Sequence, residues 1–86
     1  MKERALLELM IANYSANPGT GWVPAEKCAQ IMVSYNQRFQ QWRLKGIKIE
    51  NRMIGDKSEY KLYTHPSEID RDNFRSKVSQ MALEIN

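Results

Sequence analysis

The apolar residues of this chain change their spacing at Gly46, and that change narrows the folds open to it more than any other feature. Upstream, Tyr35, Phe39 and Trp42 recur at three- and four-residue intervals, which gathers them on one face of a helix over about Tyr35 to Lys45. Downstream, Ile47, Ile49 and Met53 fall on one side of an extended segment, while Lys48, Glu50 and Arg52 fall on the other. A returning segment from Glu59 to Tyr63 alternates again, with Tyr60 and Leu62 as its inner pair, and Ile54-Gly55-Asp56-Lys57 supplies the turn between the two. Glycine suits the junction because a helix end commonly needs a left-handed backbone that other residues resist. The pattern predicts a helix delivered into a two-stranded β-hairpin, with Arg52, Lys57 and Lys61 at the hairpin's tip and on its outer face.

Two further helices precede this unit. Leu6, Leu7, Met10, Ile11 and Tyr14 share a helical face over about Glu3 to Ser15. Asn17-Pro18-Gly19-Thr20-Gly21 then forms a loop, since the residue before a proline is pushed out of the helical region. Trp22-Val23 leads into Pro24, whose missing N–H costs nothing at a first helical position, so a second helix is expected from about Pro24 to Met32. Cys28, Ala29, Ile31 and Met32 would be its inner side. After a tight turn at Val33, the Ser34 hydroxyl is placed to cap the third helix.

Beyond the hairpin, His65-Pro66 breaks the strand, and Ser67-Glu68-Ile69-Asp70 has the Ser-x-x-acid arrangement that opens a helix. Phe74, Val78, Met81, Ala82 and Ile85 would form its apolar stripe, about three turns long and more than a short three-helix core requires. The expected fold class is therefore α+β, a three-helix bundle with a two-stranded β-hairpin and an added C-terminal helix. Residues 1–66 would form the main unit, and residues 67–86 would pack on it or join two copies as a homodimer.

Eighty-six residues suit a single domain, and 42% hydrophobic with 27% charged residues is the balance of a chain that folds. The net charge of +3 is small but unevenly spread. From Ser34 to Tyr63 there are seven basic residues against three acidic ones, so any footprint for a polyanion lies in the middle of the chain. Cys28, the single cysteine, excludes a scaffold stapled by internal disulfides and fits a reducing cytoplasm. Glu8 and the polar run from Asn13 to Asn17 interrupt the first apolar stretch, so neither a signal peptide nor a membrane span is expected.

Helix, loop, helix, tight turn, helix, glycine and hairpin is the order of a winged helix. Val33-Ser34, the helix end Phe39-Gln40-Gln41-Trp42-Arg43-Leu44-Lys45, the strand Gly46-Ile47-Lys48-Ile49-Glu50 and the closing Tyr60-Lys61-Leu62 resemble the winged helix-turn-helix domains of bacterial and phage regulators. The resemblance spans about Leu6 to Tyr63. It implies sequence-specific binding of double-stranded DNA by a small transcription regulator or an accessory factor of a phage or mobile element. The third helix would enter the major groove, and the hairpin wing would lie on phosphates.

Residue chemistry supports the same expectation. Asparagine and glutamine can bond adenine at two points and arginine can bond guanine, and the third helix carries Asn36, Gln37, Gln40, Gln41 and Arg43 on its outward arc. With Ser34, Arg38 and Lys45 they make the helical set of candidate DNA contacts. Lys48, Arg52, Lys57 and Lys61 make the hairpin set, suited to phosphates, which fix affinity and register. An ordinary solvated helix face has a similar composition, and a fold alone does not fix a function. The competing reading is a protein-interaction module, such as an inhibitor of a host protein.

Trp22, Trp42, Phe39 and Tyr35 have the spacing of core residues, and Cys28 that of a small buried hydrophobe. For catalysis the chain offers little. One Cys and one His lie far apart, and no Ser-His-Asp set, glycine-rich phosphate loop or paired carboxylates can be assembled. Glu68, Asp70 and Asp72 are explained by the favourable field at a helix start. Neither an enzyme nor a cofactor, metal or small-molecule substrate is expected.

Overall fold

The computed structural model describes residues 2–77, which form three helices against a three-stranded antiparallel sheet, followed by a short two-stranded hairpin. The helices are α1 (Lys2–Ala12), α2 (Ala25–Ile31) and α3 (Tyr35–Leu44); the sheet strands are β1 (Val23–Pro24), β2 (Ile49–Ile54) and β3 (Lys57–Leu62). Leu6, Leu7 and Met10 of α1, Cys28 of α2, and Phe39 and Trp42 of α3 are buried together with Val23, Ile47, Ile49, Tyr60 and Leu62. The aromatic rings set the seam between α3 and the sheet. Phe39 lies 5.1 Å and Tyr35 5.6 Å from the Tyr60 ring, centroid to centroid.

Local chemistry fixes where the helices end. α1 stops at Ala12, short of the expected Ser15, where the Asn13 side chain and backbone N–H both donate to the Leu9 carbonyl. α3 stops at Leu44, and Gly46 at φ +91 closes it as the spacing change predicts. The N–H of Ile47 reaches the Trp42 carbonyl and that of Gly46 the Arg43 carbonyl, the paired bonds of a Schellman end. The Ser34 hydroxyl makes no capping bond, contrary to expectation. The turn is held by backbone instead, with Tyr35 N–H donating to the Met32 carbonyl, and Gln37 and Arg38 N–H donating to that of Ser34.

β2 and β3 pair from Ile49 with Leu62 to Ile54 with Lys57, across a two-residue turn at Gly55-Asp56. The expected hairpin is present, but it has a third strand. Pro24, expected to open α2, and Val23 before it pair with Glu59 and Tyr60, so β3 becomes the central strand in the order β1-β3-β2. Two residues are too short to show an alternation. Proline is tolerated because β1 is an edge strand.

After the sheet, the helix expected from Ser67 is replaced by a 3-10 turn (Pro66–Glu68) and a hairpin of β4 (Ile69–Asp70) and β5 (Arg75–Ser76). Two local interactions outweigh the helical pattern. His65 Nδ1 accepts the Ser67 N–H, and the Asp70 carboxylate accepts the N–H groups of Asp72 and Asn73 and the Asn73 side chain. Phe74 sits at φ +53 and stacks on Trp42 at 6.1 Å with the rings nearly parallel, so it joins the core rather than a dimerisation stripe. Ser76 N–H donates to the Lys45 carbonyl and Ile69 is buried, which fastens this segment to the end of α3. Val78, Met81, Ala82 and Ile85 lie outside the described residues.

Candidate nucleic-acid interface

Burial of Phe39 and Trp42, with Tyr35 and Arg38 half-buried beside them, fixes which side of α3 faces the core. At about 100° per residue the opposite side carries Gln37, Gln40, Gln41 and Leu44, all exposed. Both flanks are tied down. Toward the sheet, the Tyr60 hydroxyl donates to Asn36 Oδ1 at 2.8 Å and Arg43 Nε donates to the Ile49 carbonyl at 2.8 Å. Toward α1, Arg38 pairs with Glu3 at 3.4 Å and donates to Gln41 Oε1 at 2.7 Å, while Trp42 Nε1 donates to the same glutamate at 3.3 Å. The helix thus presents its amide row from a braced position. Ser34 is exposed at its N-terminal end and Lys45 at its C-terminal end.

No acidic residue occurs from Val33 to Ile49, whereas Arg38, Arg43, Lys45 and Lys48 do. The hairpin is less cationic than its sequence promised. Arg52 Nε donates to Glu59 at 2.8 Å, and the guanidinium lies 4.3 Å from the centroid of the Trp22 ring. Lys57 stands exposed at the tip beside Asp56. Lys48 is exposed, its ammonium 5.9 Å from the Tyr63 ring.

Lys61 corrects the expected outer face. Alternation does put it on the side of the sheet away from the helices, but it is only 1% exposed. Its ammonium donates to the backbone carbonyls of Ser15 and Thr20, both at 2.6 Å, and lies 5.3 Å from the Tyr63 ring. The α1–β1 loop covers it, shaped by a Ser15–Thr20 hydroxyl bond and by Asn17 Oδ1 accepting the Gly19 N–H. Gly21, at φ +83, lets the loop close down: a Cβ there would stand 2.8 Å from the Asn13 carbonyl oxygen and 3.0 Å from Lys61 Nζ. Trp22 belongs to this cover, half-buried with Nε1 donating to the Pro18 carbonyl, rather than to the core.

Compared with known proteins, the chain matches no family model, no curated protein and no solved structure. Of the residues singled out in the sequence, the structure brings Gln37, Gln40 and Gln41 into one row, the last with its oxygen bonded to Arg38, and ties Asn36, Arg38 and Arg43 to neighbours. It leaves Lys45, Lys48 and Lys57 exposed, pairs Arg52 and buries Lys61.

Sequence reasoning missed Leu44, which is 88% exposed in line with the glutamines. Its position seven residues, or two turns, after Gln37 was the available signal. Val33, 90% exposed before α3, and Met53 and Ile54 at the hairpin tip are further exposed apolar residues.

The perturbed titrations lie away from this surface. Burial pushes the Cys28 thiol up to about 11, which keeps it protonated and unreactive near neutral pH. Burial, followed by the neighbouring Tyr35, raises Tyr60. The Asn73 side chain bonded to Asp70 lowers that carboxyl, a turn-forming role. Among the described residues no three His, Cys, Asp or Glu side chains converge as metal ligands, and no helix is long and apolar enough to cross a membrane.

Proposed function

We propose that this domain is a winged helix-turn-helix that binds double-stranded DNA, with α3 in the major groove. The observation that carries the reading is the outward amide row of α3 within a stretch of chain free of acidic side chains. A helix entering the groove must present hydrogen-bonding side chains to base edges while nearby cations meet the phosphates. Gln37, Gln40 and Gln41 supply the first, and Lys45, Lys48 and Lys57 the second, joined by Arg43, which is exposed and bonded to the Ile49 carbonyl through Nε.

Binding of the full chain to random-sequence duplex DNA, measured by mobility shift across a salt series, tests this. Four phosphate contacts give a slope of about −3 to −4 in log K against log salt. A flat salt dependence, or no binding at low salt, overturns the reading. A second reading, a protein-docking module, draws on the exposed Val33, Met53 and Ile54, and that flat result would favour it.

A further inference from the structure

The outward row of α3 combines two kinds of side chain and lacks a third. Gln37 and Gln40 present whole amides, Gln41 presents its NH2 while its oxygen is held by Arg38, and Leu44 presents an isobutyl group 88% exposed. No arginine shares the row. Arg38 is turned against α1 by Glu3 and Gln41, and Arg43 is drawn to the sheet by the Ile49 carbonyl. Lys45 follows the last helical residue, at the edge of the surface.

Base edges in the major groove differ in the partners they want. Guanine offers two acceptors, met best by arginine or lysine; adenine offers an acceptor and a donor, met at two points by a glutamine amide; thymine offers a methyl group, met by an apolar side chain. We infer that this row reads A·T pairs in preference to G·C pairs, with Leu44 packed on a thymine methyl group, an inference that rests on the duplex-binding reading above. At about 1.5 Å rise per residue, Gln37 and Leu44 lie about 10 Å apart along the axis, enough to span roughly three base steps. A lone exposed leucine would be unremarkable on any surface. Leu44 stands out because its neighbours on the row are amides that pair with adenine.

Three duplexes of about 20 base pairs, two helical turns, test this at equal phosphate count. One contains only A·T pairs, one is the same sequence with every thymine replaced by uracil, and one contains only G·C pairs. Fluorescence anisotropy with the wild-type chain and with Leu44→Ala gives the readout, and the exposure of Leu44 keeps the fold out of the comparison.

The wild type is expected to bind the A·T duplex at least tenfold more tightly than the G·C duplex. Uracil should cost it about fourfold, the worth of one buried methyl group. Leu44→Ala should lose about fourfold on the thymine duplex and respond little to uracil. Equal binding to A·T and G·C duplexes, or a uracil penalty that survives in Leu44→Ala, overturns the inference while leaving duplex binding intact. Failure to bind any of the three overturns the duplex-binding reading, and this one with it.

Discussion

An ammonium group withdrawn from water needs polar partners, and Lys61 finds them in the carbonyls of Ser15 and Thr20 beneath a loop that excludes solvent. Lys61→Met keeps the length of the side chain and leaves both carbonyls without a donor. It is expected to destabilise the fold by about 2–4 kcal/mol in urea unfolding, because bonds from a charged donor are worth more than neutral ones. At a temperature where the variant stays folded, its salt slope for duplex DNA should match that of the wild type. An unchanged unfolding midpoint would show that the ammonium contributes nothing net.

Cys28 makes a prediction of opposite character. Its folded pKa is raised to about 11 from 9.0, so its contribution to stability is fully present below pH 9 and is lost as pH rises toward 11, where the unfolded thiol ionises and the folded one resists. The unfolding free energy from urea titration should fall between pH 8 and pH 10.5, by about 2 kcal/mol, and fall less in Cys28→Ala. Tyr60 is raised too, chiefly by burial and by Tyr35, which both proteins share, and to a lesser degree by the charge of Cys28, so its small change in Cys28→Ala has the same sign as that of the thiol. Identical pH profiles would refute the contribution of the thiol.

Among the elements, the β2–β3 hairpin depends on Gly55. Its φ of +64 followed by Asp56 with negative φ is the backbone a tight two-residue turn demands, and a Cβ there would meet open space. Gly55→Ala should therefore cost about 1–2 kcal/mol through backbone strain alone, read from the unfolding midpoint. A cost near zero would mean that the turn relaxes to another type.

This turn, the α3 helix and its glycine stop were legible in the sequence because each is set by neighbours a few residues away. β1 was not, since its pairing partner lies far along the chain and its proline reads equally well as a helix start. The hairpin at residues 69–76 was hidden for a different reason: the Ser-x-x-acid pattern at Ser67 satisfies a helix rule, but the Asp70 carboxylate is spent on the following turn.

Across the whole molecule, charge counted along the sequence differs from charge offered to a partner. Four of the seven basic residues between Ser34 and Tyr63 are engaged: Arg38 by Glu3, Arg52 by Glu59, Lys61 by carbonyls and Arg43 in part by Ile49. The outward amide row could be placed from helical spacing, whereas the occupancy of the cations needed the fold. The strand order has a kinetic consequence as well. β3 meets β2 through a two-residue turn, but meets β1 only when Val23 finds Tyr60, 37 positions along the chain. Closing so long a loop is slow, so the hairpin should nucleate first and the β1 edge dock late. Folding φ-values should then be near zero for Val23→Ala and above about 0.5 for Leu62→Ala, and the reverse order would place the rate-limiting barrier at the long closure. The last edge to arrive is also the first to leave: mutations in β1 should shorten the lifetime of the native state while leaving its rate of formation almost untouched.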